Sequence, residues 1–236
     1  TGASLALYDR ATLATVSGAA EFWKGGLAFG VQSLGFAAAD RASGAFTRGE
    51  AGLAETGAVS ASELVVSAGY GRLVKGFRVG AAVKYIEMRV PDERDATIAA
   101  DIGVARRIAF VTAGFSARNL GRAPQLDGED LSLPLMLTLG ASTLTAPLGP
   151  LDVAGAAAVT YHEDGSVSPH AGVEVSYWPR AGRTFTGRIG VRHRADSDMG
   201  PLTLGAGFTG DRIAIDYAMQ AVDGARAVHR VGVRLR

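Results

Sequence analysis

Cysteine is absent from the 236 residues, which excludes disulfide scaffolds, thiolate metal sites, cysteine nucleophiles and sulfur-tethered cofactors. No apolar run reaches the ~18 residues that a transmembrane helix needs, so a helical membrane protein is excluded as well. Charge of one sign is missing: 24 basic side chains face 23 acidic ones, a net +1 spread singly along the chain. Such a balance gathers no phosphate backbone and sets up no long-range attraction to an acidic membrane surface, so nucleic acid is not an expected partner. Proline is scarce at 8 residues and aromatics make up only 7%. Lysine occurs only at Lys24, Lys75 and Lys84, a bias that carries no functional meaning by itself.

What is present is glycine and dispersed hydrophobicity. The 32 glycines follow no three-residue period, which rules out collagen. Hydrophobic residues make up 47% and mean hydropathy is +0.16, so the apolar content is distributed in short pieces. From about residue 60 the dominant period is two, as expected of strands with unlike faces. Phe77, Val79, Ala81, Val83 and Tyr85 share one face, and Arg78, Gly80, Ala82 and Lys84 share the other. Ile213, Ile215, Tyr217 and Met219 alternate in the same way with Arg212, Ala214, Asp216 and Ala218.

Strands are expected near 3–9, 11–22, 27–39, 62–73, 77–90, 96–105, 108–119, 133–143, 151–160, 169–178, 184–194, 201–209, 212–221 and 227–236. Tight turns are expected at 24–26, 75–76, 106–107, 147–150, 179–183 and 210–211. Longer or more polar links are expected at 40–61, 91–95, 121–132, 161–169, 195–200 and 222–226. Alternating short and long connections describe an all-β, antiparallel, up-and-down transmembrane β-barrel of about 14 strands, with both termini at the short-turn, periplasmic end. Fourteen strands of about ten residues leave enough chain for the connections. The expected location is the bacterial outer membrane, with its lipids as partners.

A sheet can span a bilayer only if it closes and leaves no edge unpaired. Stripes such as Ala171, Val173, Val175 and Tyr177, or Leu202, Leu204, Ala206 and Phe208, then face acyl chains. The opposite stripes supply lumen-facing candidates: Lys84, Asp101, Glu174, Arg188, Arg192, Asp216, Arg230 and Arg234. Charges of both signs on so many strands suit a hydrated or ion-paired interior better than a soluble core. A soluble sandwich, with the same stripes packed between two layers, is the rival architecture.

Several segments resemble the PorV/PorQ family, relatives of FadL-like outer-membrane channels. They are EFWKGGLAFGVQSLGF at 21–36, SAGYGRLVKGFRVGAAVKYIEMRV at 67–90, DIGVARR at 101–107, GFSARNLG at 114–121, LPLMLTLGAS at 133–142, GPLTLGAGFTGDRIAIDYAMQ at 200–220 and HRVGVRLR at 229–236. The resemblance implies a fourteen-stranded, non-enzymatic barrel serving protein secretion or surface anchoring of a type IX-like kind, with a translocon or cargo protein as partner. The alternative it carries is a FadL-like channel for hydrophobic small molecules. One barrel domain over 1–236 is expected, without the signal peptide and hatch segment that family members usually carry before the first strand. Its last residue, Arg236, stands where such barrels commonly end in an aromatic.

Other patterns favour plain structural readings. Gly205, Gly207 and Gly210 spell GxGxxG but run along a strand into a turn, whereas a dinucleotide fingerprint opens a helix. They are expected to relieve crowding on the inner face or to allow bending. His162, His170, His193 and His229 lack metal-ligand spacing, and no GxSxG elbow is present, so neither a metal, a cofactor nor catalysis is expected. Asp164-Gly165 and Asp223-Gly224 read as turn formers, and Asp196, Asp198 and Asp211 fall in connections. The long link 40–61 is either a recognition element or a plain external loop, and Gln125, Asp127 and Asp130 are similarly ambiguous.

Overall fold

The alternation seen in sequence produces strand after strand in the computed structural model, which describes residues 1–7, 11–36, 61–90, 93–126, 129–130, 133–193, 199–222 and 226–235. In chain order the strands are β1 (Gly2–Leu7), β2 (Ala11–Phe22), β3 (Gly25–Phe36), β4 (Ser62–Val74), β5 (Phe77–Val90), β6 (Glu93–Ile108) and β7 (Val111–Gly121). There follow β8 (Gln125–Leu126), β9 (Glu129–Asp130), β10 (Met136–Thr143), β11 (Ala146–Leu148), β12 (Leu151–His162), β13 (Val167–Arg180), β14 (Arg183–Arg192), β15 (Met199–Thr209), β16 (Ile213–Val222) and β17 (Arg226–Leu235). β8 and β9 form a two-stranded ribbon of their own, and β11 adds a short edge to β12.

The remaining strands close into a 14-strand antiparallel ring. β1 pairs with both β2 and β17, from Gly2↔Arg234 to Leu7↔His229, while β10 pairs with both β7 and β12. No barrel strand is left with an unpaired side, which is the condition for a sheet in hydrocarbon. The closure decides against the soluble sandwich: there is one layer, not two.

Side-chain burial is inverted relative to a soluble domain. Ile98 and Leu139 are each 65% exposed, and Phe29, Val83, Val173, Ile189, Leu204, Ile215 and Val231 are exposed too. Among the described residues the buried apolar set is Ile86, Ala99, Ala117 and Ala214. A continuous apolar outer surface of this kind is incompatible with water and matches acyl chains. The protein is an outer-membrane barrel.

At the short-turn end, Trp23 (φ 38°) with Lys24 (φ 62°), and Lys75 (φ 47°) with Gly76 (φ 83°), make two-residue hairpins whose positive φ matches the twist of the flanking strands. Of these four positions, glycine supplies that conformation without strain at Gly76. Aromatics gather at this level: Tyr70 donates to the Trp23 carbonyl at 2.7 Å, Phe22 meets the Tyr70 ring edge-on at 6.5 Å, and Trp178 donates to Asp152 at 2.9 Å.

Three expected connections need correction. The turn placed at Arg106-Arg107 lies at Ala109-Phe110, because β6 runs to Ile108. Arg106 remains in the strand opposite Phe77, with its guanidinium 4.7 Å over that ring, and Ala109 takes the positive φ of 52°. The links expected at 91–95 and 161–169 are tighter than proposed, since β5 ends at Val90 and β6 resumes at Glu93, while β12 and β13 flank only 163–166. Length contrast between the two rims is therefore concentrated in the links after β3, β7 and β14. Most of the 40–61 link, and Asp127, Asp196, Asp198, Asp223 and Gly224, lie outside the described residues.

Candidate functional site on the inner wall

Because side chains alternate along every strand, the register fixes which residues share the face opposite the exposed apolar stripes. All eight sequence candidates fall on that inner face by register, and the structure sorts them into groups.

The largest group is built around Arg188 of β14. Its Nε donates to Glu174 on β13 at 2.6 Å, and its Nη1 donates to Asp216 on β16 at 2.8 Å. To reach β16 the guanidinium must pass over β15, and it does so above Gly205 and Gly207. A Cβ at Gly207 would stand 2.9 Å from Asp216 Oδ1 and 3.3 Å from Arg188 Nη1. These glycines are therefore a bed for an ion-pair bridge, and Gly210 donates its N–H to Ile213 in the following turn. Arg234 of β17 extends the group, with Nη2 at 3.7 Å from Asp216 Oδ2. Arg230 lies on the same wall. Among the described residues no carboxylate lies within ion-pair distance of Arg230, or of Arg192, which sits opposite His170.

Lys84 and Asp101 form a separate pair at 2.8 Å, on β5 and β6. Their register positions are offset by one step through Ala82↔Asp101 and Lys84↔Ala99, so the chains reach diagonally. The pair is completed by Asn119, which sequence reasoning missed as a site residue. A register shift between Ala100 and Ile102 inserts a bulge on β7, where Asn119 adopts φ 62°. This conformation aims the Asn119 N–H at Asp101 (2.9 Å), its amide oxygen at Lys84, and its Nδ2 at the Pro134 carbonyl (2.9 Å). The NLG triplet was the available signal, since asparagine tolerates left-handed backbone.

The histidines separate. Thr138, Thr160 and His170 form a hydroxyl–hydroxyl–imidazole row at 2.9 Å per step, and His162 shares a 3.1 Å hydrogen bond with Ser168. Ser168 is fully buried, which leaves it out of reach of a substrate. The His193 N–H donates to the Pro169 carbonyl at 3.0 Å. His229 lies on the outer face, 2.8 Å from the Tyr217 hydroxyl. Asp164 accepts the Ser166 N–H at 2.8 Å with Gly165 at φ 83°, the expected turn. Gln125 donates its N–H to Asp95, and Asp130 lies in β9.

Between the ionic groups the wall is neutral and small. Gly103↔Ser116, Gly114↔Gly140, Gly140↔Ala158 and Ala156↔Gly172 are successive cross-strand pairs. With so little side chain the wall recedes into a hollow of about 650 Å³, mostly apolar, with Arg78 and His170 among its lining. The Arg188 side of the ring has a hollow of about 410 Å³ with a mixed polar and apolar lining, to which Ser4, Asp216, Arg230 and Arg234 contribute.

No family model and no curated protein matches the chain. Solved structures do. The Pseudomonas putida toluene transporter TodX superimposes with a TM-score of 0.64 at 10% identity, over 98% of this chain and 86% of that one. The Ralstonia pickettii toluene transporter TbuX gives 0.56 at 12% identity, over 98% and 85%. A TodX deltaS2S3 mutant, described as a monoaromatic hydrocarbon channel, gives 0.60 at 12% identity, over 98% and 86%. None of these carries the PorV/PorQ name suggested by the sequence segments. The likeness at such identities is one of fold: this chain is similar in architecture to these barrels and lies in the bacterial outer membrane.

Proposed function

We propose that the barrel is a passive conduit for small hydrophobic molecules across the outer membrane. The observation that carries this reading is the apolar hollow of about 650 Å³ in the inner wall between β6 and β13. Its volume is in the range of small-ligand sites, and its Gly, Ala and Thr lining offers contact area with few groups to desolvate. The fold shared with proteins named as toluene transporters supports the same reading. The charges of the Arg188 group largely neutralise one another away from the hollow, which leaves Arg78 as a charged side chain in its lining. The export reading rests on segment likeness, and among the described residues no lumen feature favours it.

The test is uptake of radiolabelled toluene into cells lacking other hydrocarbon channels, with and without this barrel. Ala156→Leu combined with Ala158→Leu fills the hollow from its floor. Uptake above the empty strain, reduced several-fold by the double substitution in a variant that still shifts its gel mobility on heating, supports the conduit. Uptake equal to the empty strain sinks it, and co-purification with a large translocon would then restore the export role.

A further inference from the structure

The near-equal totals of basic and acidic side chains conceal an uneven placement. Along the arc from β2 to β7, the short-turn rim carries Lys24, Arg72, Lys75, Arg78, Arg106 and Arg107 against one carboxylate, Glu21. The opposite ends of the same strands hold Glu63, Glu87, Glu93 and Asp95. Among the described residues none of the six rim cations has an ion-pair partner. Ion pairs in this arc include Lys84 with Asp101 at mid-strand, and Arg89 and Arg94 with Glu87 near the other rim. Crowded positive charge with no internal counter-charge raises its own energy unless an external anion is supplied.

Four of the six lie on the outer face or at the hairpin tips of the ring. By register Arg72 pairs with Val79 and Arg106 with Phe77, on the exposed apolar face, and Lys24 and Lys75 occupy hairpin tips. Arg78 and Arg107 are on the inner face by register. The outer four stand among exposed aromatics: Trp23 is 78% exposed and Phe110 69%, and Arg106 lies over Phe77. Cations with long apolar stems, set beside aromatic rings at the edge of an apolar belt, reach headgroup depth in a bilayer. Arg72 and Arg106 flank β5, opposite Val79 and Phe77; two strand spacings and a two-residue stagger separate their backbones by roughly 12 Å, a gap that two arginine side chains can close on one phosphate. Short turns face the periplasm in outer-membrane barrels.

We propose that this arc binds the headgroup of an anionic phospholipid of the periplasmic leaflet, with its phosphate held between Arg72 and Arg106 over β5. The site is separate from the lumen and does not depend on what the conduit carries.

Native mass spectrometry of the full barrel in detergent with equal phosphatidylglycerol and phosphatidylcholine reads the preference. Wild type is expected to retain phosphatidylglycerol over phosphatidylcholine by about fivefold or more, as a rim that adds about this factor per nearby cation would give. Salt of about 0.5 M should collapse the ratio. The K24Q/R72Q/K75Q/R106Q variant should bring it near unity while keeping the heat-dependent gel shift, and R89Q/R94Q at the other rim should leave it unchanged. Equal retention by wild type, an undiminished ratio in the quadruple variant, or loss in R89Q/R94Q overturns the proposal. Should the quadruple variant not refold, R72Q and R106Q singly are each expected to lower the ratio by about twofold or more, and no change in either overturns it.

Discussion

The two ionic groups of the inner wall use the same chemistry in opposite settings. Lys84 and Asp101 are 16% and 25% exposed, and the bulge at Asn119 closes over them with directed hydrogen bonds. Arg188, Glu174 and Asp216 are 43%, 42% and 37% exposed and lie on a bare glycine surface. Attraction between charges grows as water is withdrawn, and so does the penalty for leaving one unpaired. The covered pair therefore pins β5, β6 and β7 together, whereas the open bridge mainly shapes the field inside the ring.

Substitutions can break that contrast. The largest effect is expected for Lys84→Met, which leaves Asp101 charged and half-covered with only the Asn119 N–H: a loss of roughly 2–3 kcal/mol, read by urea unfolding in lipid vesicles. A loss under about 1 kcal/mol would remove the distinction between the groups. Gly207→Leu comes next, because its side chain must occupy the space of the Arg188–Asp216 contact. We expect about 1–2 kcal/mol of destabilisation and an altered reversal potential in planar bilayers; unchanged conductance would mean the bridge does not border the permeation path. Arg188→Gln should cost under about 1 kcal/mol, since solvent screens so exposed a pair, yet shift selectivity toward cations. The smallest effect is expected for Arg89→Ala at the long-link rim, within about 0.5 kcal/mol and with no change in reversal potential.

The architecture was legible because a single period runs through it. Alternation at 77–85 or 213–219 assigns every side chain to one of two faces, and a ring needs nothing more to decide inside from outside. Polarity alone misled at Arg106-Arg107, where two charged residues looked like a turn but one lies on a phenyl ring and the strand continues. The partners within the lumen were not legible. A face assignment gives neither height nor angle around the ring, so Arg188 and Asp216, separated by a strand, could not be matched in advance. Asn119 escaped for a related reason: a bulge is a one-residue shift between two strands, visible only when both are aligned. The apolar hollow is made of what is absent, namely side chains at Gly103, Gly114, Gly140 and Gly172, and a glycine in sequence does not say whether its neighbours across the sheet are small too.

The seam between β1 and β17 has a kinetic consequence. It joins positions as far as 234 apart in the chain, down to a hydrogen bond from the Thr1 amino group to the Leu235 carbonyl. Among the described residues every other backbone pairing in the ring joins barrel strands that are neighbours along the chain, so this closure must wait until all of them exist, at the largest loop entropy in the molecule. Until then the nascent sheet offers two ladders of free amides and carbonyls to any passing strand, which makes the final zipping step the point where escorting factors matter most.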